Sequence, residues 1–114
     1  MNTILVRLAF LFATIFVQAQ SFTVVQINAE WNKRHDVQLP ARINGNPVIY
    51  GLLEQQSPSI QKNTKSVPVV VLYKGNQAVM QWTADISFKL NLTKEEIADV
   101  IEQHKQTYQR KGSN

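Results

Sequence analysis

No cysteine occurs anywhere in the 114-residue chain. Thiol–disulfide exchange needs cysteine both as nucleophile and as resolving group, so this chain cannot carry that chemistry. A disulfide framework, which supports many small exported domains, is excluded as well. The stability of a folded domain must therefore come from its hydrophobic core.

Histidine and net charge are also in short supply. The two histidines, His35 and His104, lie about seventy residues apart, whereas a metal site needs several ligands at suitable spacing. The formal net charge of +4 is too small to favour nucleic acid. The sequence therefore predicts no metal site, no cofactor and no nucleic-acid partner.

The longest apolar block lies near the start of the chain. Arg7 precedes an apolar block over residues 8–17, and Val17-Gln18-Ala19 places small residues at both positions that define a cleavage site. A membrane span needs about 20 apolar residues, which is more than this block provides. The layout predicts a signal peptide over residues 1–19 and an exported protein, periplasmic or secreted, with no membrane span after signal removal. Without Arg7 the net charge is about +3.

The length that remains predicts one domain over residues 20–110, followed by a polar tail over residues 111–114. The unbroken apolar run Val69–Tyr73 is typical of a strand buried on both faces in the middle of a sheet. Lys74-Gly75-Asn76-Gln77 after it predicts a tight turn. Four segments have the composition of strands, namely Phe22–Ile27, Val48–Leu53, Val69–Tyr73 and Ala78–Trp82.

Helix signals occur between and after these strands. Ser57 and Pro58 predict a helix entry, and Val37–Ile43 is a candidate short helix that Pro40 limits in length. Thr93–Glu96 forms a capping box. Apolar residues then follow at spacings of three and four, which predicts an amphipathic helix with Ile97, Val100, Ile101, His104 and Tyr108 on one stripe.

The order of these elements predicts the fold class. A βαβ unit followed by a ββα unit gives one mixed, four-stranded sheet with helices on both faces, which is an α/β fold. The connection between the first two strands is about fifteen to twenty residues long, enough for a parallel crossover.

This order and three segments resemble the thioredoxin family. Ser66–Gly75 is similar to the stretch around that family's cis-proline, with the central strand and hairpin turn that follow it. Val24–Trp31 resembles the first core strand, which ends in the tryptophan before the active site. Leu92–Ile97 resembles the start of the last helix. The similarity covers residues 22–104 and implies a thioredoxin-like fold.

Two departures from the family pattern bear on function. The family's Cys-x-x-Cys falls on Asn32-Lys33-Arg34-His35, so Asn32 and His35 occupy the two cysteine positions. The helix that follows is shortened by about two turns. The resemblance therefore implies a small, exported, redox-inactive member of the family that is not an enzyme.

The resemblance also implies a binding site, lined by Trp31, Asn32, His35, Val67 and Pro68. In the family, the backbone beside the cis-proline pairs with an extended substrate peptide, and this contact needs no sulfur. We therefore expect a peptide- or protein-binding module. The alternative is that the proline is kept only because a cis bond shapes the turn.

Other interpretations remain open. A non-redox enzyme would use His35 as an acid or a base, but no carboxylate or hydroxyl is placed by the sequence to complete a catalytic set. A structural subunit of an envelope complex is a third possibility. Lys33, Arg34, Lys62 and Lys65 form a candidate patch for acidic peptides, although exposed lysines commonly serve solubility. The sequence does not indicate an oligomeric state.

Overall fold

A computed structural model describes residues 21–112, with side chains described up to residue 106. Five strands form one mixed sheet in the order β2-β3-β1-β4-β5. The strands are β1 (Phe22–Asn28), β2 (Arg42–Ile43), β3 (Asn46–Leu52), β4 (Val69–Lys74) and β5 (Gln77–Thr83). The helices are α1 (Pro58–Asn63) and α2 (Lys94–Gly112), with 3-10 segments at Glu30–His35 and Leu53–Gln55.

The pairing of the strands defines the topology. Strand β1 runs parallel to β3, with Val24 opposite Val48, and antiparallel to β4, with Val24 opposite Leu72. Strand β5 pairs antiparallel with β4 and leads into α2. This combination of a parallel crossover with an antiparallel hairpin and a final helix is a thioredoxin-like arrangement. The predicted α/β, thioredoxin-like fold is confirmed.

The core lies between α2 and one face of the sheet. Val70 and Leu72 of β4 are fully buried on that face, and Ile97 and Ile101 of α2 are fully buried against it. The neighbouring β4 residues point to the opposite face because side chains alternate along a strand, and there Val69 and Val71 line a cavity together with Ile60 and Asn63 of α1. The two helices therefore lie on opposite faces of the sheet, as predicted.

The ends of the helices follow the sequence signals. Ser57 caps α1, because its hydroxyl oxygen accepts a hydrogen bond from the Ile60 N–H at 3.4 Å. At the start of α2, Glu96 N–H donates to Thr93 Oγ1 at 3.1 Å, and Thr93 N–H donates to Glu96 Oε1 at 3.3 Å. His104 is half-buried on the same helix, with its ring edge-on to Phe22 at 6.4 Å between centroids.

The predicted helix over Val37–Ile43 is wrong. Residues 37–41 lie outside helices and strands, and Arg42–Ile43 forms β2, a fifth strand beyond the four predicted. Val37 N–H donates to Gln26 Oε1 at 2.7 Å, and Gln26 Nε2 donates to Val37 O at 3.0 Å. Because the backbone groups of Val37 are bonded to Gln26, they do not form the hydrogen bonds of a helix. Pro40 also favours an extended conformation of the residue before it, Leu39.

A hairpin turn replaces the expected end of that helix. Asn44 and Gly45 have φ values of 51° and 82°, so both central residues lie in the left-handed region. Two such residues form the turn whose twist matches a tight β-hairpin. The turn joins β2 to β3, where Ile43 pairs with Asn46.

The helix after β1 is reduced to the 3-10 segment Glu30–His35. Asn32 interrupts even this short segment, with φ −112° and ψ 16°. The predicted shortened helix after His35 is therefore absent, and only the 3-10 segment before it is helical.

Some predicted boundaries fall beyond the described residues. The signal peptide over residues 1–19 lies outside them, as do the last two residues of the predicted tail. The backbone of α2 extends to Gly112. Within residues 21–112, neither helix combines the length and the apolar character that a membrane crossing requires. The boundaries of the signal peptide, domain and tail stay predictions.

Truncation of Ile101 tests the position of the core. Ile101 is fully buried, so Ile101→Ala removes apolar contacts and leaves a cavity, and we expect a loss of about 2–5 kcal/mol in the free energy of unfolding. Ile86→Ala is the matched control, because Ile86 is 93% exposed and its truncation changes stability by less than about 0.5 kcal/mol. Urea unfolding measures both, and equal losses would contradict this core.

Candidate functional site

The predicted site residues meet where β1 ends and β4 begins. Three segments converge there: the 3-10 segment Glu30–His35, the turn before β4 and the loop over residues 84–91. The Val67-Pro68 peptide bond in the turn is cis. The loop is joined to the turn by Ala84 N–H, which donates to Pro68 O at 3.1 Å.

Asn32 is the centre of this assembly. The side chain is 3% exposed, and its Nδ2 donates to Val67 O at 3.3 Å and to Phe88 O at 3.1 Å. The same nitrogen lies 3.0 Å from Asn28 Oδ1, so three acceptors share two hydrogens. One buried amide thus connects β1, the cis-proline turn and the loop. It occupies the position that the resemblance assigns to the first cysteine.

Asn28 extends the network from the end of β1. Its Nδ2 donates to Asn32 O at 2.9 Å and to Asp36 Oδ1 at 2.6 Å, and its Oδ1 accepts from Ala29 N–H at 2.9 Å. Asn28 is 3% exposed. Buried polar groups that are fully hydrogen-bonded favour one arrangement of the surrounding chain. The network therefore holds the 3-10 segment in place without an α-helix.

His35 receives a defined orientation from the same amide. Asn32 Nδ2 faces only acceptors, so its Oδ1 faces His35 Nδ1 at 3.0 Å, and Nδ1 must carry the hydrogen. His35 Nε2 bonds no other described residue, and neither a hydroxyl nor a carboxylate contacts the ring. Within residues 21–106, the side chains also form no cluster of three potential metal ligands.

The exposed part of the site is apolar. Trp31 is 64% exposed and packs edge-on against Phe88, with ring centroids 5.0 Å apart at 89°. Ile86, two residues before Phe88, is 93% exposed. We call these three residues the Trp31 face. The sequence analysis missed Ile86 and Phe88, because the connection after β5 shows no periodic pattern.

Hydrogen bonds hold the loop that carries Ile86 and Phe88 of this face. Asp85 Oδ1 accepts from the backbone N–H of Ser87 at 2.8 Å and from its hydroxyl, and these bonds lower the pKa of Asp85. Ser66 Oγ donates to Asp85 O at 3.0 Å. Phe88 has φ 60°, which is uncommon for a residue other than glycine. The exposed apolar side chains therefore stand on a fixed backbone.

The structure separates the five predicted site residues into two groups. Trp31 is exposed and His35 half-buried, whereas Asn32, Val67 and Pro68 are buried. The Val67 carbonyl already accepts from Asn32, and Val67 is only 2% exposed, so its backbone is not open to a peptide in this arrangement. The role of these residues in binding stays a prediction.

The four residues of the predicted basic patch, Lys33, Arg34, Lys62 and Lys65, have solvent-exposed side chains. None of the four forms an ion pair within 4.0 Å with any described residue. Solvated cations of this kind do not define a binding site by themselves.

Removal of the Asn32 amide tests its structural role. Asn32→Ala leaves the carbonyls of Val67 and Phe88 without their donor, and we expect a loss of about 1–3 kcal/mol in the free energy of unfolding. Hydrogen exchange should accelerate over residues 84–91. Asn91→Ala is the matched control, because Asn91 is exposed and its side chain makes no hydrogen bond to the described residues. Unchanged exchange in Asn32→Ala would contradict this role.

The chain is similar to solved structures, although the other comparisons with known proteins found no match. No family model and no curated protein matches the chain. A crystal structure of Trxlp from Edwardsiella tarda EIB202 is 18% identical, covers 77% of this chain and 91% of its own, and has a TM-score of 0.43. A solution structure of oxidised thioredoxin from Plasmodium falciparum is 13% identical, covers 84% and 90%, and has a TM-score of 0.46. Strand order and pairing define a thioredoxin-like fold in which no cysteine is present.

Proposed function

We propose that this protein is a redox-inactive, thioredoxin-like binding module that engages a peptide or protein through the Trp31 face. The observation that carries the proposal is the exposure of Trp31 beside Phe88, at the end of the sheet where the cis-proline turn lies. Tryptophan dominates the energetics of many protein interfaces, and contiguous exposed apolar groups commonly mark interaction sites.

The fixed backbone under the face supports the same proposal. The loop is hydrogen-bonded to the cis-proline turn through Ser66 and to the 3-10 segment through Asn32. A surface ordered before binding loses less conformational entropy when a partner docks. We therefore expect partner contacts through side chains of the Trp31 face, more than through the buried backbone of Val67.

The place of action is a further part of the proposal. The pattern over residues 1–19 supports export to the periplasm or the exterior. There the domain would meet peptides and envelope proteins. A structural subunit of an envelope complex would use the same face with one permanent partner.

A non-redox enzyme that uses His35 is the less favoured alternative. A general base must lie within hydrogen-bond reach of the proton that it removes from the substrate. Nucleophilic catalysis needs a hydroxyl or thiol beside the imidazole. His35 instead donates its Nδ1 hydrogen to a buried amide. Among the described residues, no hydroxyl and no carboxylate is hydrogen-bonded to the His35 ring.

Selection from a displayed peptide library tests the binding module. Peptides enriched on the wild-type protein should lose about thirtyfold in affinity with Trp31→Ala, as expected for the loss of an interface anchor. Met80→Ala is the matched control, because Met80 is also an exposed apolar side chain, at 40%, but lies on β5. Calorimetry measures the affinities. Equal binding by Trp31→Ala and wild type would refute the proposal.

An insulin-reduction assay tests the redox part separately. The protein should not accelerate the precipitation of insulin above the rate with dithiothreitol alone, because the chain contains no thiol. A thioredoxin with both cysteines is the positive control. Any acceleration that scales with protein concentration would show that a group other than cysteine carries the reaction.

A further inference from the structure

A concave surface lies on the α2 side of the sheet. One wall is the segment over residues 36–40, and the other is the connection into α2 over residues 90–96. The space between them is about 740 Å³. Neither Trp31 nor Val67 lines it, so it is separate from the Trp31 face. We call it the α2 groove.

Both walls of the α2 groove have free backbone groups. Gln38 and Leu39 on one wall, and Leu90, Asn91 and Leu92 on the other, make no backbone hydrogen bond to the described residues. Backbone N–H and C=O groups require partners, so here they bond either to water or to a ligand. In strand addition a peptide bonds to unpaired main-chain groups at a sheet edge, and the walls of the α2 groove offer a peptide unpaired main-chain groups of the same kind.

The missing helix explains why these groups are free. A helix over residues 37–43 would satisfy its own backbone through internal hydrogen bonds. Gln26 instead holds both backbone groups of Val37, and Pro40 favours an extended residue before it. The absence of this helix therefore leaves the backbone of the wall unpaired.

The charges of the α2 groove indicate the sign of its occupant. Asp36, Glu95 and Glu96 line it against a single cation, Lys94, although the whole chain has a net charge of +4. Glu95 has no hydrogen bond or ion pair to the described residues. The first turn of α2 is already capped by its own Thr93, and the carboxylates around it repel an anion. The complementary ligand is basic.

The floor of the α2 groove is apolar. Leu39 and Leu90 are partly buried and pack against the core cluster, and Leu92 is 6% exposed. A strand presents alternate side chains to opposite sides. An extended peptide can therefore place apolar side chains on the floor and basic ones toward the carboxylates.

We propose that the α2 groove binds an extended peptide of alternating apolar and basic residues through backbone pairing with its walls. The groove is a second peptide site, additional to the Trp31 face. Its occupancy does not depend on the function proposed for that face.

Synthetic peptides test the sign of the charge. A fluorescein-labelled peptide that alternates lysine and valine should bind by fluorescence anisotropy and weaken as salt rises, whereas its glutamate counterpart should not bind. The double variant Asp36→Asn with Glu95→Gln should weaken binding about tenfold. Glu102→Gln, elsewhere on the exposed surface of α2, is the matched control, and Trp31→Ala should bind like wild type. Equal affinity for both peptides, or no effect of the double variant, overturns the proposal.

N-methylation of the lysine–valine peptide tests the backbone pairing. Methyl groups on alternate nitrogens remove donors that strand addition needs but leave the charge unchanged, so affinity should fall at least about tenfold. Unchanged affinity would mean a purely electrostatic contact and would overturn the proposal. The remaining alternative is that a second copy of this chain occupies the groove, and sedimentation of the wild-type protein tests it. A dimer that excludes the peptide would assign the groove to that second copy and would also overturn the proposal.

Discussion

The buried amide of Asn32 is the contact on which the arrangement of the candidate site depends. It replaces a sulfur in the resemblance, and the two groups are not equivalent as hydrogen-bond donors. A thiol has one weak donor, whereas the amide nitrogen has two hydrogens and contacts the carbonyls of Val67 and Phe88. A cysteine at this position could not hold the turn and the loop together in this way. The residue at this position therefore has no reactive thiol and cross-links the turn to the loop.

The position of the loop follows from that cross-link. Because Asn32 Nδ2 contacts both Phe88 O and Val67 O, the loop lies beside the cis-proline turn, where Val67 is only 2% exposed. The same contact places the Phe88 ring beside Trp31 and leaves the indole largely in solvent. A site that resembles one for backbone pairing is thus covered, and an apolar side-chain surface is exposed beside it. Because the backbone is buried and the apolar side chains are exposed, we place the proposed binding function on side chains.

Local patterns in the sequence predicted much of the fold. The apolar run of β4, the Gly75 turn and the capping box at Thr93 each depend on neighbours within a few residues, and all three are present. The segment after His35 was mispredicted, because its conformation depends on a non-local contact with Gln26, eleven residues earlier in the chain. The position of Asn32 and His35 at one site was predictable by resemblance. The covering loop was not, since no sequence pattern indicates that Phe88 adopts a positive φ.

The shortened helix and the missing sulfur are physically related. A helix N-terminus lowers the pKa of an adjacent cysteine and so stabilises the reactive thiolate. A chain without cysteine has no thiolate for a helix to stabilise. Replacing the helix by an extended segment therefore loses nothing of this kind. The replacement leaves free backbone groups at Gln38 and Leu39. A full helix over this segment would have bonded these backbone groups internally, so the backbone pairing proposed for the α2 groove requires the absence of the helix that thiol chemistry would have favoured.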